Sequence, residues 1–132
     1  YNAAVILRTL DSVPFPGYDK VIALLDLDLF VPILTYVFGE ARQGGKYALV
    51  SLFRLKLQED SPRANSLAIE RAAKVALHEL GHLYNLHHCL DESCLMHFSG
   101  ALEDLDRTPL YHCRYCALYF REALSTRARS QA

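Results

Sequence analysis

A mixed α/β (α+β) architecture is expected for this 132-residue chain on three observations: a strand-length apolar run at Val21 to Leu27, an apolar stretch that reverses across Gly44-Gly45, and a long alanine-rich segment with helical character that ends in HELGHLYNLHHC. With 52% hydrophobic and 22% charged residues the chain suits one globular domain, residues 1–132, and no apolar run nears the ~18 residues a spanning helix needs. A net charge of −1 offers no electrostatic track for nucleic acid, and Arg121, Arg127 and Arg129 are expected on a solvated helix face. The start, YNAAVILRTL, has neither an initiator Met nor a signal-peptide layout, as in a chain entered within a domain.

Ala3 to Leu10 is expected to be a helix with Asn2 near its start, although its dense apolar residues do not separate helix from buried strand by period alone. Pro14, Pro16 and Gly17 mark a connector, after which Val21 to Leu27 reads as a central buried strand. Asp26 and Asp28 are expected to bond nearby backbone in a turn rather than bind a cation. Tyr36 to Phe38 and Lys46 to Leu57 form a hairpin around Gly39 to Gly45, with Gly44-Gly45 supplying the positive φ of the return. Its second arm is apolar on both faces at first, and Arg54 and Lys56 then guard an exposed edge. A helix follows over Leu67 to Leu86, packing through Ile69, Ala73, Ala76, Leu80 and Leu83 and presenting His78 and His82 on another face. Asn85 ends it in the left-handed conformation. Asp91 to Tyr111 shows no period, and Cys113 to Ala128 closes the chain as a helix with Leu118, Phe120 and Leu124 making apolar contacts.

The chemistry begins at His78 and His82, one helical turn apart, a spacing that lets two imidazoles bind one Zn²⁺ while Glu79 sits beside the remaining position. A catalytic zinc takes three protein ligands and leaves one position for water. His88, six residues after His82 and beyond the turn at Asn85, completes HExxHxxGxxH with Asn85 in the glycine position. His87 competes by adjacency, and the six-residue offset favours His88. Glu79 is then the general base, accepting the water's proton and delivering it to the departing amine. Cys89, Cys94, Cys113 and Cys116, spaced CxxxxC and CxxC, read as four thiolates on a second, structural zinc; two disulfides are the alternative in an exported protein. Met96, the chain's only methionine, suits a Met-turn beneath the imidazoles, although a lone Met is ordinarily a core filler. His87, His97 and His112 are left as ordinary polar or supporting histidines.

HELGHLYNLHHC, CLDESC, the Met of CLMHF and CRYC together resemble the archaemetzincin (archaelysin) family of zinc metalloproteases, as do LLDLDLFVP, YVFGEA and VSLFRL, so the likeness spans most of Val21 to Leu118. The resemblance implies a metzincin-like zincin fold. A mixed twisted sheet and the active-site helix would form an upper subdomain (1–85), above a small zinc-stapled lower subdomain (86–132) with the Met-turn, the Cys₄ site and the C-terminal helix. It also implies that the strand around Val50 to Leu55 borders the cleft and pairs with an extended peptide. The chain departs from the pattern at Asn85 and in the sixteen-residue gap between Met96 and Cys113, one residue short. Phe98 stands where some other metzincins place a tyrosine ligand. The expected function is that of a zinc metallopeptidase (hydrolase) with two zinc ions per chain and a peptide or protein substrate. It is expected to be monomeric and cytoplasmic, with no nucleic-acid or membrane partner. The alternative is a zinc-stabilised peptide-binding module with a latent or vestigial catalytic site, and a weaker one is a non-peptidase amide hydrolase.

Overall fold

The computed structural model describes residues 1–131; Ala132 lies outside the described residues, as do the side chains of Leu34 and residues 128–131, Arg129 among them. Helix α1 (Ala3–Asp11) starts where Asn2, in extended conformation, accepts the Ala4 N–H on its side-chain oxygen at 3.0 Å. Strands β1 (Val21–Leu25), β2 (Leu29–Val31), β3 (Leu34–Val37), β4 (Gly39–Ala41) and β5 (Tyr47–Ser51) follow, then helices α2 (Pro62–Leu83), α3 (Leu102–Arg107) and α4 (Arg114–Gln131). A mixed three-stranded sheet runs β1-β5-β4, parallel between β1 and β5 and antiparallel between β5 and β4, while β2 and β3 pair separately. No described helix is long and apolar enough to cross a membrane.

All of β5 is buried because its alternating side chains enter two different cores. Tyr47 and Leu49 pack with Ala3 and Leu7 of α1, whereas Val50 packs with Phe38, Leu55, Val75 of α2 and Leu105 of α3. A third cluster of Leu86, Cys94, Met96 and Cys116 lies beyond the end of α2.

Several local expectations are corrected. β1 is an edge of the sheet, not its centre: β5 is the strand with partners on both sides, and Leu24 is left 59% exposed. The hairpin exists, but its first arm is Gly39–Ala41, and Tyr36 belongs to β3. Gly, Glu and Ala are weak strand formers, so tertiary pairing and the return at Gly44, with φ of 70°, decide the register over propensity. The second arm ends at Ser51, and Arg54 and Lys56 pair with Asp28 and Asp26 at 2.8 Å rather than guard an edge. α2 starts at Pro62 because Ser61 accepts the Ala64 N–H at 3.1 Å and proline's missing N–H is no loss in the first turn.

Ile69 is 71% exposed, whereas Leu83 is buried as expected, and the buried side of α2 also carries Arg71, Lys74, Val75 and Glu79. The two cations are tolerated because Arg71 donates twice to Asp106 at 2.8 Å and Lys74 donates to the Leu105 and Asp106 carbonyls. The same bonds hold α3, a helix without a period in the sequence. On α4, Leu118 and Leu124 are exposed, and Phe120 packs inward against Tyr84 and His112.

Candidate active site

The end of α2 sets the site. Asn85 has φ of 69°, its N–H donates to the His82 carbonyl at 3.0 Å, and the Leu86 N–H donates to the Gly81 carbonyl at 2.9 Å, the paired bonds of a Schellman cap. The hairpin loop seats on this turn: Gly44 N–H donates to the His82 carbonyl and Gln43 Nε2 to the Leu86 carbonyl, both at 2.9 Å. Gly44 has φ of 70°, which strains any side chain, and a Cβ there would also lie 2.7 Å from Asn85 Oδ1 and displace that amide. The chain is thereby turned back, and His88 reaches the face that carries His78 and His82.

His78 and His82 each donate from Nδ1 to a carbonyl, of Leu95 and Leu86 respectively, at 2.8 Å. A proton on Nδ1 leaves Nε2 of each neutral ring with a lone pair, yet the two Nε2 atoms face one another at 3.1 Å. Two acceptors held so close repel unless a cation lies between them, and the spacing suits donors each about 2.0–2.1 Å from one ion. The His88 ring lies 5.2 Å and 4.8 Å from the other two, and one ligand atom from each of the three histidines falls within 4.8 Å of the others. His87 is exposed and outside this group. Burial pushes His78 down to about 4 and also lowers His82 and His88, favouring the neutral imidazole that metals bind.

Glu79 is 5% exposed and lines, with the three histidines, a cleft of about 500 Å³. Burial, followed by the charge of Glu40, pushes its carboxyl well above the usual range. Met96 is fully buried, and a Cβ on Gly81 would meet its Sδ at 2.5 Å and its Cε at 2.9 Å. Gly81 therefore admits the methionine sulfur against the helix between His78 and His82. Its one sequence signal is a glycine tolerated inside a helix at a cost of about 1 kcal/mol against alanine. The strands bordering the cleft are β3 and β4, and β4 has no strand on its outer edge among the described residues; β5, including Val50, has both edges paired and cannot take a peptide strand, which corrects the expected rim.

The sulfurs of Cys89, Cys94, Cys113 and Cys116 also lie within 4.8 Å of one another, and all four are free. Cys89 Sγ and Cys113 Sγ are 3.9 Å apart, close to the separation of two sulfurs each about 2.3 Å from one ion. Backbone N–H groups of Met96 and Cys113 donate to Cys94 Sγ, and that of Cys116 to Cys113 Sγ, an arrangement that favours thiolates. The Cys116 N–H is the main cause drawing the Cys113 thiol down to about 7, while burial pushes Cys94 and Cys116 up. His97 bonds the Cys89 carbonyl through Nδ1 at 2.8 Å, and His112 lies against the Phe120 ring. Both donor sets, three neutral imidazoles and four thiols, fit zinc.

Residues 9–122 match peptidase family M54. The chain is 42% identical over 116 residues to the archaemetzincin of Methanopyrus kandleri, a match covering 88% of this chain and 63% of the relative, so it spans less than two thirds of that protein's length. The crystal structure of archaemetzincin from Methanopyrus kandleri matches with a TM-score of 0.86 at 38% identity, covering 95% of this chain and 66% of that one. That of a zinc-dependent peptidase from Methanocorpusculum labreanum matches with a TM-score of 0.81 at 28% identity, covering 91% and 74%.

Proposed function

The chain belongs to peptidase family M54, the archaemetzincins, and on that premise we propose that it hydrolyses peptide bonds with a zinc ion held by His78, His82 and His88. The observation that carries this reading is the 3.1 Å approach of two imidazole acceptors whose other nitrogens are fixed on carbonyls. When bound, the ion supplies a Lewis acid for the substrate carbonyl and an acidified water. Glu79, beside the ligands and shielded from solvent, takes the proton of the attacking water and passes it to the leaving nitrogen. An extended substrate adds to the outer edge of β4, its backbone bonding that of Gly39 and the Ala41 carbonyl. Met96 is the apolar floor beneath the imidazoles.

A second zinc on Cys89, Cys94, Cys113 and Cys116 is structural, since four thiolates leave no open position. It ties the segment after α2 to α4 within a lower subdomain, residues 86–132, which together with an upper one, residues 1–85, makes a single domain. Thiols kept for zinc suit a reducing compartment such as the cytoplasm, and the chain acts as a monomer on peptides or proteins.

A peptide-library digest with zinc measured on the same sample tests this reading. Cleavage lost on chelation and restored by zinc is expected. Zinc-loaded protein that binds peptides and cleaves none would instead identify a binding module with a vestigial site.

A further inference from the structure

We propose that Glu40 selects the substrate by holding a positively charged nitrogen of the bound peptide in the cleft; this rests on the peptidase reading above. Glu40 is the middle residue of β4, paired through its backbone with Leu49, and it lines the same cleft as Glu79 and the three histidines. Half-buried there, it has one hydrogen bond among the described residues, from the Ala41 N–H to Oε1 at 3.2 Å. Oε2 has no donor, and no cation lies within ion-pair distance among the described residues. Asp26, Asp28 and Asp106, by contrast, each have a lysine or arginine partner at 2.8 Å.

The cleft itself offers Glu40 no partner. Lys74 is the one lysine or arginine among its lining residues, and its Nζ is taken by the Leu105 and Asp106 carbonyls at 3.2 Å and by Glu70 at 3.8 Å. Glu79 is 5% exposed, lines the cleft, and likewise has no hydrogen bond or ion pair among the described residues. Its stem lies so close to Gly39 that a Cβ there would meet Glu79 Cγ at 2.9 Å. Glu40 and Glu79 thus share one part of the cleft, and no lysine or arginine there is free to pair with Glu40 among the described residues.

A half-buried carboxylate without a cation is costly, and a positive group on the ligand, which adds Coulombic attraction to the hydrogen bond, offsets more of that cost than a neutral donor does. The shared chemistry is an ammonium or guanidinium. It has two sources, the free α-amine of a peptide, which would make cleavage terminal, or an interior lysine or arginine side chain, which would make it internal.

The experiment uses zinc-loaded protein and peptides of one sequence, with the amino terminus free or acetylated and with lysine or norleucine at one interior position. Binding is measured by calorimetry on Glu79→Gln, with and without Glu40→Gln or Glu40→Asp, and kcat/KM on protein with Glu79 intact. A cationic peptide should bind roughly tenfold or more tightly than the fully neutral one, as a charged hydrogen bond implies. That ratio should collapse in Glu40→Gln, recover in part in Glu40→Asp, and reappear in kcat/KM through KM. Loss of the preference on acetylation identifies the α-amine; loss with norleucine identifies the side chain. A preference absent at the start, or undiminished in Glu40→Gln, overturns the proposal. Glu40-dependent binding without any cleavage would refute hydrolysis and leave the assignment of Glu40 standing; cleavage indifferent to charge would do the reverse.

Discussion

Cys89 donates its backbone N–H to the carbonyl of Met96 at 2.9 Å. The bond closes a loop whose start follows His88 and whose end places a sulfur against Gly81, so the thiol cluster, the methionine and the third histidine share one piece of backbone.

Disturbing the cysteines should therefore reach the histidines. Cys113→Ser is expected to lose the lower zinc and also to weaken the upper site by roughly 10–100-fold, the scale on which supporting interactions tune metal affinity. Zinc titration against a chromophoric chelator measures both sites. An upper site of unchanged affinity in a protein lacking the lower zinc would mean that the two are independent.

Gly81 and Met96 should be coupled in stability. Gly81→Ala gains about 1 kcal/mol of helix propensity but forces Met96 to move, an overpacking cost of about 1–3 kcal/mol. Met96→Ala alone should cost about 2–5 kcal/mol by opening a cavity. In the double variant the added methyl group occupies part of that space, so the combined loss should be smaller than the sum by about 1 kcal/mol. Denaturant unfolding of all four proteins completes the cycle, and strict additivity would deny the contact.

Asn85 departs from the family pattern without strain that glycine would relieve. Glycine at the left-handed C-cap position gains conformational ease but loses more entropy on folding, so Asn85→Gly should change stability by less than about 0.5 kcal/mol. Asn85→Ala, with φ of 69° to maintain, should cost about 1 kcal/mol. Chemical denaturation distinguishes them; an alanine variant as stable as the parent would mean the cap does not depend on the residue type.

The Arg71–Asp106 pair should make stability fall in acid. Its hydrogen bonds hold the Asp106 carboxyl below the ordinary value, so the folded chain binds that proton less readily than the unfolded chain, where the group titrates near about 3.9. The contribution is complete above that pH and is lost as pH drops through the lower folded value. Asp106→Asn should lose about 2 kcal/mol at neutral pH, less than a fully buried pair because the Asp106 side chain is 35% exposed. It should also show a shallower acid decline; an identical decline would assign the acid sensitivity to other groups.

What could be read from the sequence was chemistry carried by spacing. His78, His82 and His88 meet because helix period and a left-handed Asn85 are local properties, and the cysteines announce themselves as two locally spaced pairs whose shared donor chemistry, rather than their spacing, predicts that they meet. Partnership between distant segments was not legible. Gly39–Ala41 becomes a strand only because β5 pairs with it, β1 falls to an edge because nothing flanks it, and Ile69 faces water while Arg71 and Lys74 turn inward to α3. Glu40 acquires its place in the cleft through that same unforeseen pairing.

The claim on which the rest depends is that His78, His82 and His88 hold the metal while Glu79 moves the proton. Zinc content and peptide cleavage measured together on Glu79→Ala test it most directly. The variant should keep its zinc and lose turnover by at least about 10²–10⁴-fold, the usual share of general acid–base catalysis. A zinc-loaded Glu79→Ala protein that cleaves as fast as the parent would contradict the account.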